Sequence, residues 1–137
     1  MKNFFFILSA AILFASCRSK NDYDLKSDKT YEKTKESLEE KEKKNPAAFL
    51  TVTGNDKKNI LGQTVIKGKI FNNAKIATYK DVELKLRFYS KTGALLEEDI
   101  ETVYDNITPG STKSFKSKYF TPKGTDSVSL IVVGAKF

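Results

Sequence analysis

Glu97-Glu98-Asp99-Ile100-Glu101 is the one dense group of carboxylates in the C-terminal part of this chain. Two carboxyl groups about 5–9.5 Å apart across a sugar-binding cleft are the core of a glycoside hydrolase site, and alternate residues on one strand face come within that range. On a solvated edge strand the same run has a different effect, because its charges discourage edge-to-edge pairing with other chains; the residues favour this second reading. Calcium is not favoured at Glu97, Asp99 and Glu101, since no Asp/Asn loop with a glycine at ligand spacing accompanies them. Histidine is absent from all 137 residues. That removes the commonest general base and metal ligand, and with it any Ser-His-Asp triad or histidine-based zinc site. The expected chemistry is therefore non-catalytic, with no metal and no cofactor.

The remaining reactive group is Cys17, the only cysteine. Lys2 gives the start a positive charge, Phe4 to Phe14 form an apolar run, and small Ala15 and Ser16 precede the thiol. The run is shorter than the roughly 20 apolar residues needed to cross ~30 Å of hydrocarbon, so it reads as an export signal. Phe14-Ala15-Ser16-Cys17 resembles a bacterial lipobox, with Phe14 where leucine is usual. The resemblance implies removal of residues 1–16, acylation of Cys17, and lipid anchoring at the outer membrane, facing the periplasm or the cell surface. Two or three acyl chains hold stably where one holds marginally, at about 0.8 kcal/mol per buried methylene. An acylated Cys17 leaves no thiol for disulfides, catalysis or metals. Ser19-Lys20-Asn21-Asp22-Tyr23-Asp24 partly resembles the acidic motif that marks surface export in some bacterial lipoproteins.

The elements that carry these groups divide the chain into three stretches. Residues 1–16 are the signal, 17–45 the modified cysteine with a charged linker, and 46–137 the domain. The linker has few sizeable apolar side chains and cannot form a core of its own, so disorder is its default. Glu39 with Lys43 and Glu40 with Lys44 nevertheless form favourable i,i+4 pairs that support a partial helix, and Pro46 ends any such helix near Asn45. The linker is expected to act as a spacer.

From Ala47 onward the apolar period is two. Val82, Leu84, Leu86 and Phe88 alternate with Glu83, Lys85, Arg87 and Tyr89, predicting a strand with one buried face. Thr64 to Phe71 sets Ile66, Gly68 and Ile70 against Val65, Lys67, Lys69 and Phe71, and Asn72-Asn73 closes it with turn residues. Ala48 to Thr53 reads as the first strand, and Ser114 to Phe120 as another. Leu96, Ile100 and Tyr104 are spaced four apart, which fits a helix or a strand; Thr102-Val103-Tyr104 and tight flanking turns favour the strand. Ser127 to Val133 is a continuous β-branched run typical of an interior strand. Lys91-Thr92-Gly93, Pro109-Gly110 and Pro122-Lys123-Gly124 mark turns, the second with the residues of a type II turn. Six or seven short strands without helices predict an all-β, antiparallel, immunoglobulin-like sandwich.

Ile66 to Asn73, Tyr79-Lys80-Asp81-Val82, Leu86 to Gly93 and Ile107-Thr108-Pro109-Gly110 together resemble the FxLYD-type sandwich domain of bacterial envelope proteins. The likeness covers roughly Gln63 to Gly134, with Ser90 where an aspartate is usual. It implies an extracytoplasmic sandwich and transfers no catalytic residues.

Binding residues are sought among the aromatics. Phe71, Tyr79 and Tyr89 are expected to project away from the main core, where they would stack sugars or anchor a protein partner. Asp126-Ser127-Val128 resembles an Asp-Ser/Thr-apolar acceptor of bacterial O-glycosylation. The formal charge of +7 lies mostly in residues 46–137, which carry fourteen basic and nine acidic side chains. Such an excess aids solubility and also steers anions, among them lipopolysaccharide phosphates and acidic glycans. The lysines read as scattered along alternating strands, which argues against nucleic acid. The expected function is a lipid-anchored envelope module that binds or scaffolds a protein or a surface glycan. The alternatives are an accessory subunit that adds a strand to a partner and, less favoured, a carboxylate-based glycan enzyme.

Overall fold

The computed structural model describes residues 22–137, with side chains from Lys29 onward. The predictions that fall on the signal and on Cys17 lie outside the described residues. Two helices, α1 (Asp22–Lys44) and α2 (Pro46–Phe49), precede β1 (Leu50–Lys58), β2 (Thr64–Asn72), β3 (Lys80–Ser90), β4 (Leu95–Val103), β5 (Thr112–Tyr119) and β6 (Thr125–Lys136). The strands form two antiparallel three-stranded sheets, ordered β1-β2-β5 and β4-β3-β6. The order is that of strands A-B-E facing C′-C-F in an immunoglobulin sandwich. The domain is thus the expected all-β sandwich.

Alternation builds the core. In β2 Ile66 and Ile70 are buried while Lys67 and Lys69 are exposed, and in β3 Val82, Leu84, Leu86 and Phe88 are buried. One apolar cluster joins Leu50, Ile70, Tyr79, Val82, Leu84, Val103 and Ile107, and a second joins Ile66, Leu86 and Phe88; Phe115 packs on both. Gly68 is needed where the sandwich is tightest: a Cβ there would collide with the Phe115 ring and approach the Thr53 carbonyl to 2.8 Å. Pro109-Gly110 forms the expected type II turn, with Gly110 at φ 72° and the Ser111 N–H donating to the Thr108 carbonyl. Positive φ at that turn position excludes most side chains.

Two elements differ from the reading by pattern. The first strand begins at Leu50, since Pro46–Phe49 makes one helical turn with Pro46 at its start, a position where the missing N–H is harmless. The run Ser127 to Val133 lies in β6, which among the described residues pairs only with β3 and is an edge strand of its sheet. The continuous apolar stretch Leu130 to Val133 has another origin. Val128, Leu130 and Val132 pack on the core, while Ile131 and Val133 on the other face remain exposed.

The charged linker is helical over Asp22–Lys44, and its last turn is locked to the sandwich. The Glu42 side chain is fully buried and its carboxylate accepts N–H groups from Lys75 at 2.7 Å, Ile76 at 3.0 Å and Ala77 at 2.8 Å. The Tyr79 hydroxyl donates to the Glu42 carbonyl at 2.8 Å. Both core clusters and this clamp lie wholly between Glu42 and Phe137. Asp22–Phe137 therefore holds every one of these packing contacts and is expected to fold on its own.

Candidate functional site

The three aromatics do not form one site. Phe71 is 37 % exposed on the outer face of the β1-β2-β5 sheet, and Tyr89 is half-buried in β3, of the opposite sheet. Tyr79 corrects the expectation outright, being fully buried in the core with its hydroxyl on Glu42. Only an isolated bridge to Ile107 fixes its backbone, so the alternation of β3 did not reach it. Burial, then the nearby Glu42 charge, push its pKa up to about 12. It is a structural residue with no surface to offer.

The carboxylates of β4 separate by parity. Register places Glu97, Asp99 and Glu101 opposite Phe88, Leu86 and Leu84, on the core side of an edge strand, and Glu98 on the outer side. Glu98 holds Arg87 at 2.6 Å and Lys85 at 3.9 Å. Glu101 bridges the two sheets by accepting from Ser117 and, at 2.5 Å, from Tyr119. Burial and then the Glu101 carboxylate raise the Tyr119 pKa, so its proton is firmly held. Glu97 and Asp99 lie exposed along the strand. Inward-pointing charges on an edge are a known protection against strand addition. Ser127 is exposed in β6, opposite Tyr89.

The strongest surface feature was hidden in the lysines. In β2 the outward residues are Val65, Lys67, Lys69 and Phe71, because Ile66 and Ile70 face inward. Register across the sheet then builds rows. Lys57, Val65 and Lys118 form one, Asn55, Lys67 and Lys116 the next, Thr53, Lys69 and Ser114 a third, and Thr51, Phe71 and Thr112 the last. Five exposed lysines share this face with hydroxyl and amide side chains, and no carboxylate occurs in any row. A shallow trough of about 700 Å3 runs between Lys67, Lys69 and Lys116, floored by Gly68 and Phe115.

Lys67 and Lys116 are direct cross-strand partners. Like charges in that relation repel and destabilise the sheet. Among the described residues neither makes an ion pair with a carboxylate. The arrangement is suited to holding an anion, with lysines for its charges, Thr, Ser and Asn side chains for its hydroxyls, and the Phe71 ring for an apolar sugar face. The pattern Lys67-x-Lys69 and Lys116-x-Lys118 carried a local signal, but the pairing of β2 with β5 that joins them is not local.

No family model, curated protein or solved structure matches the chain.

Proposed function

We propose that the protein is a non-catalytic, lipid-anchored module of the bacterial outer envelope that binds an acidic surface glycan on the outer face of the β1-β2-β5 sheet. The observation that carries this reading is the carboxylate-free lysine face, with Lys67 and Lys116 set directly opposite each other at a cost to the sheet. The signal-like start, Cys17 and the resemblance to FxLYD-type envelope domains support the location. The face is broad and shallow, as suits a polymer whose charges repeat, and its hydroxyl-bearing rows suit a saccharide.

Affinity for polygalacturonate, a carboxylate-bearing polysaccharide, tests the reading. The unaltered protein is expected to bind it with a steep loss of affinity as salt rises, since exposed charges are screened within about 10 Å at 0.1 M. Lys67→Glu with Lys116→Glu should remove most of the binding, whereas Lys91→Glu, in the β3–β4 turn, should leave it. Equal binding by the first variant and the unaltered protein would exclude the face as the site. Hydrolysis of the polymer, lost in Asp99→Asn, would replace binding with catalysis.

A further inference from the structure

We propose that the pole of the sandwich formed by the β1–β2 and β5–β6 turns docks onto a lipid surface carrying anionic headgroups. Ile60 is completely exposed, Leu61 is 72 % exposed and Phe120 is 80 % exposed. They sit at one pole, since Thr64 pairs with Tyr119 and the Thr64 and Thr121 hydroxyls are 3.0 Å apart.

The first turn is built to enter an apolar phase. The Asn59 side-chain oxygen accepts the N–H groups of Leu61 at 2.9 Å and Gln63 at 3.0 Å, and the Gly62 N–H donates to the Asn59 carbonyl at 3.1 Å. The N–H groups of Leu61, Gly62 and Gln63 are thus satisfied within the turn, which lowers the penalty for leaving water. In the second turn the Thr125 N–H and hydroxyl both donate to the Pro122 carbonyl, at 3.1 and 2.7 Å.

Charge identifies the occupant. Lys57 and Lys58 end β1 beside Ile60, lining with it a concavity of about 470 Å3. Lys118 precedes Phe120, and Lys123 lies in the second turn. Against these four cations stand Asp56 and Asp126, so the ring around the apolar tip is positive. Lysine is depleted from protein–protein interfaces, whereas apolar tips surrounded by lysine are suited to an anionic leaflet. α1 joins the sandwich at the other pole, where the loop Lys75–Ala77 meets Glu42, so this contact is separate from the N-terminal attachment. It shares Lys57 and Lys118 with the margin of the lysine face, and the concavity beside Ile60 reaches Lys67 and Lys116. Ile60, Leu61, Phe120, Lys58 and Lys123 lie outside the rows of that face, so variants at these residues separate the two readings.

The chain has no tryptophan, so Leu61→Trp in residues 22–137 supplies a single reporter at the tip. With vesicles of phosphatidylcholine containing phosphatidylglycerol, its emission is expected to shift to the blue and to be quenched by brominated acyl chains. Adding Ile60→Asp and Phe120→Asp should weaken partitioning by about tenfold or more while the thermal unfolding transition stays in place. Lys58→Glu with Lys123→Glu should weaken it as well, whereas Lys67→Glu with Lys116→Glu, the pair that removes glycan binding, should retain it. Three results would overturn the proposal: no shift with anionic vesicles, an equal shift with phosphatidylcholine alone, or a lipid-free shift accompanied by a doubled mass in light scattering. The last would assign the tip to a second copy of the chain.

Discussion

Glu42 shows how one side chain can change the meaning of a segment. Burial alone would favour its neutral form, yet three backbone N–H groups and the Lys75 charge outweigh that and hold its pKa below the ordinary carboxylate range. Linkage fixes the sign. A carboxylate with a lowered native pKa stabilises the fold above its unfolded value, and this contribution fades as pH falls through the native value. Acid should therefore release the last turn of α1 before the sandwich unfolds, seen as faster amide exchange at Lys75, Ile76 and Ala77. Glu42→Ala, which leaves three donors without their acceptor, should lower stability by about 2–4 kcal/mol in urea unfolding and remove the acid-dependent step. Tyr79→Phe deletes one hydrogen bond to the same residue and should cost about 1 kcal/mol. Asn72 acts similarly within the loop that Glu42 grips. Its amide donates to the Ala77 and Ile107 carbonyls and its oxygen accepts the Ala74 N–H.

At the scale of the element, β2 has two faces with opposed demands. Its inner face needs Gly68, and Gly68→Ala should destabilise the domain by about 1–3 kcal/mol, because the Thr53 backbone cannot move aside for a new methyl. Its outer face carries a repulsion that packing does not require. Lys67→Glu, which turns the cross-strand pair with Lys116 into an attractive one, should raise stability by about 0.2–1 kcal/mol and at the same time weaken polyanion binding. A variant that loses stability here, measured by denaturant midpoint, would mean that the lysine contributes to the sheet and not to a ligand. The same parity explains β4. Its carboxylates on the core side guard an edge, and of the side chains that gave it a helical spacing Ile100 is exposed on the outer side while Leu96 is exposed at the bulge opposite Phe88 and Tyr89.

At the scale of the whole molecule, α1 converts a spacer into a rod. Its 23 residues span about 35 Å at 1.5 Å per residue, with the sandwich fixed at one end by Glu42. On the lipoprotein reading, the helix would hold the domain away from its anchor, with the lysine face along the side of the sandwich and the apolar pole at the end opposite Glu42. The anchor is open to direct measurement. Labelled palmitate should enter the unaltered protein in cells and be absent from Cys17→Ala, and incorporation in that variant would remove the basis for lipid anchoring.

Sequence alone determined what repeats locally. A period of two specifies which residues of β2 and β3 face inward, whatever they pair with, and Pro109-Gly110 and Pro46 act within their own turn or helix. The sandwich class follows from those signals. Tertiary structure decided everything that depends on which strand lies beside which. Lys67 and Lys116 are far apart in the chain, and only the antiparallel register of β2 with β5 makes them neighbours and gathers scattered lysines into one face. Glu42 reads as one more charge in a polar helix, because the N–H groups that bury it belong to a loop more than thirty residues away. Tyr79 is buried by the same loop, outside any alternating run. Pairing and loop docking are long-range choices made by packing and hydrogen bonding, and no local pattern encodes them.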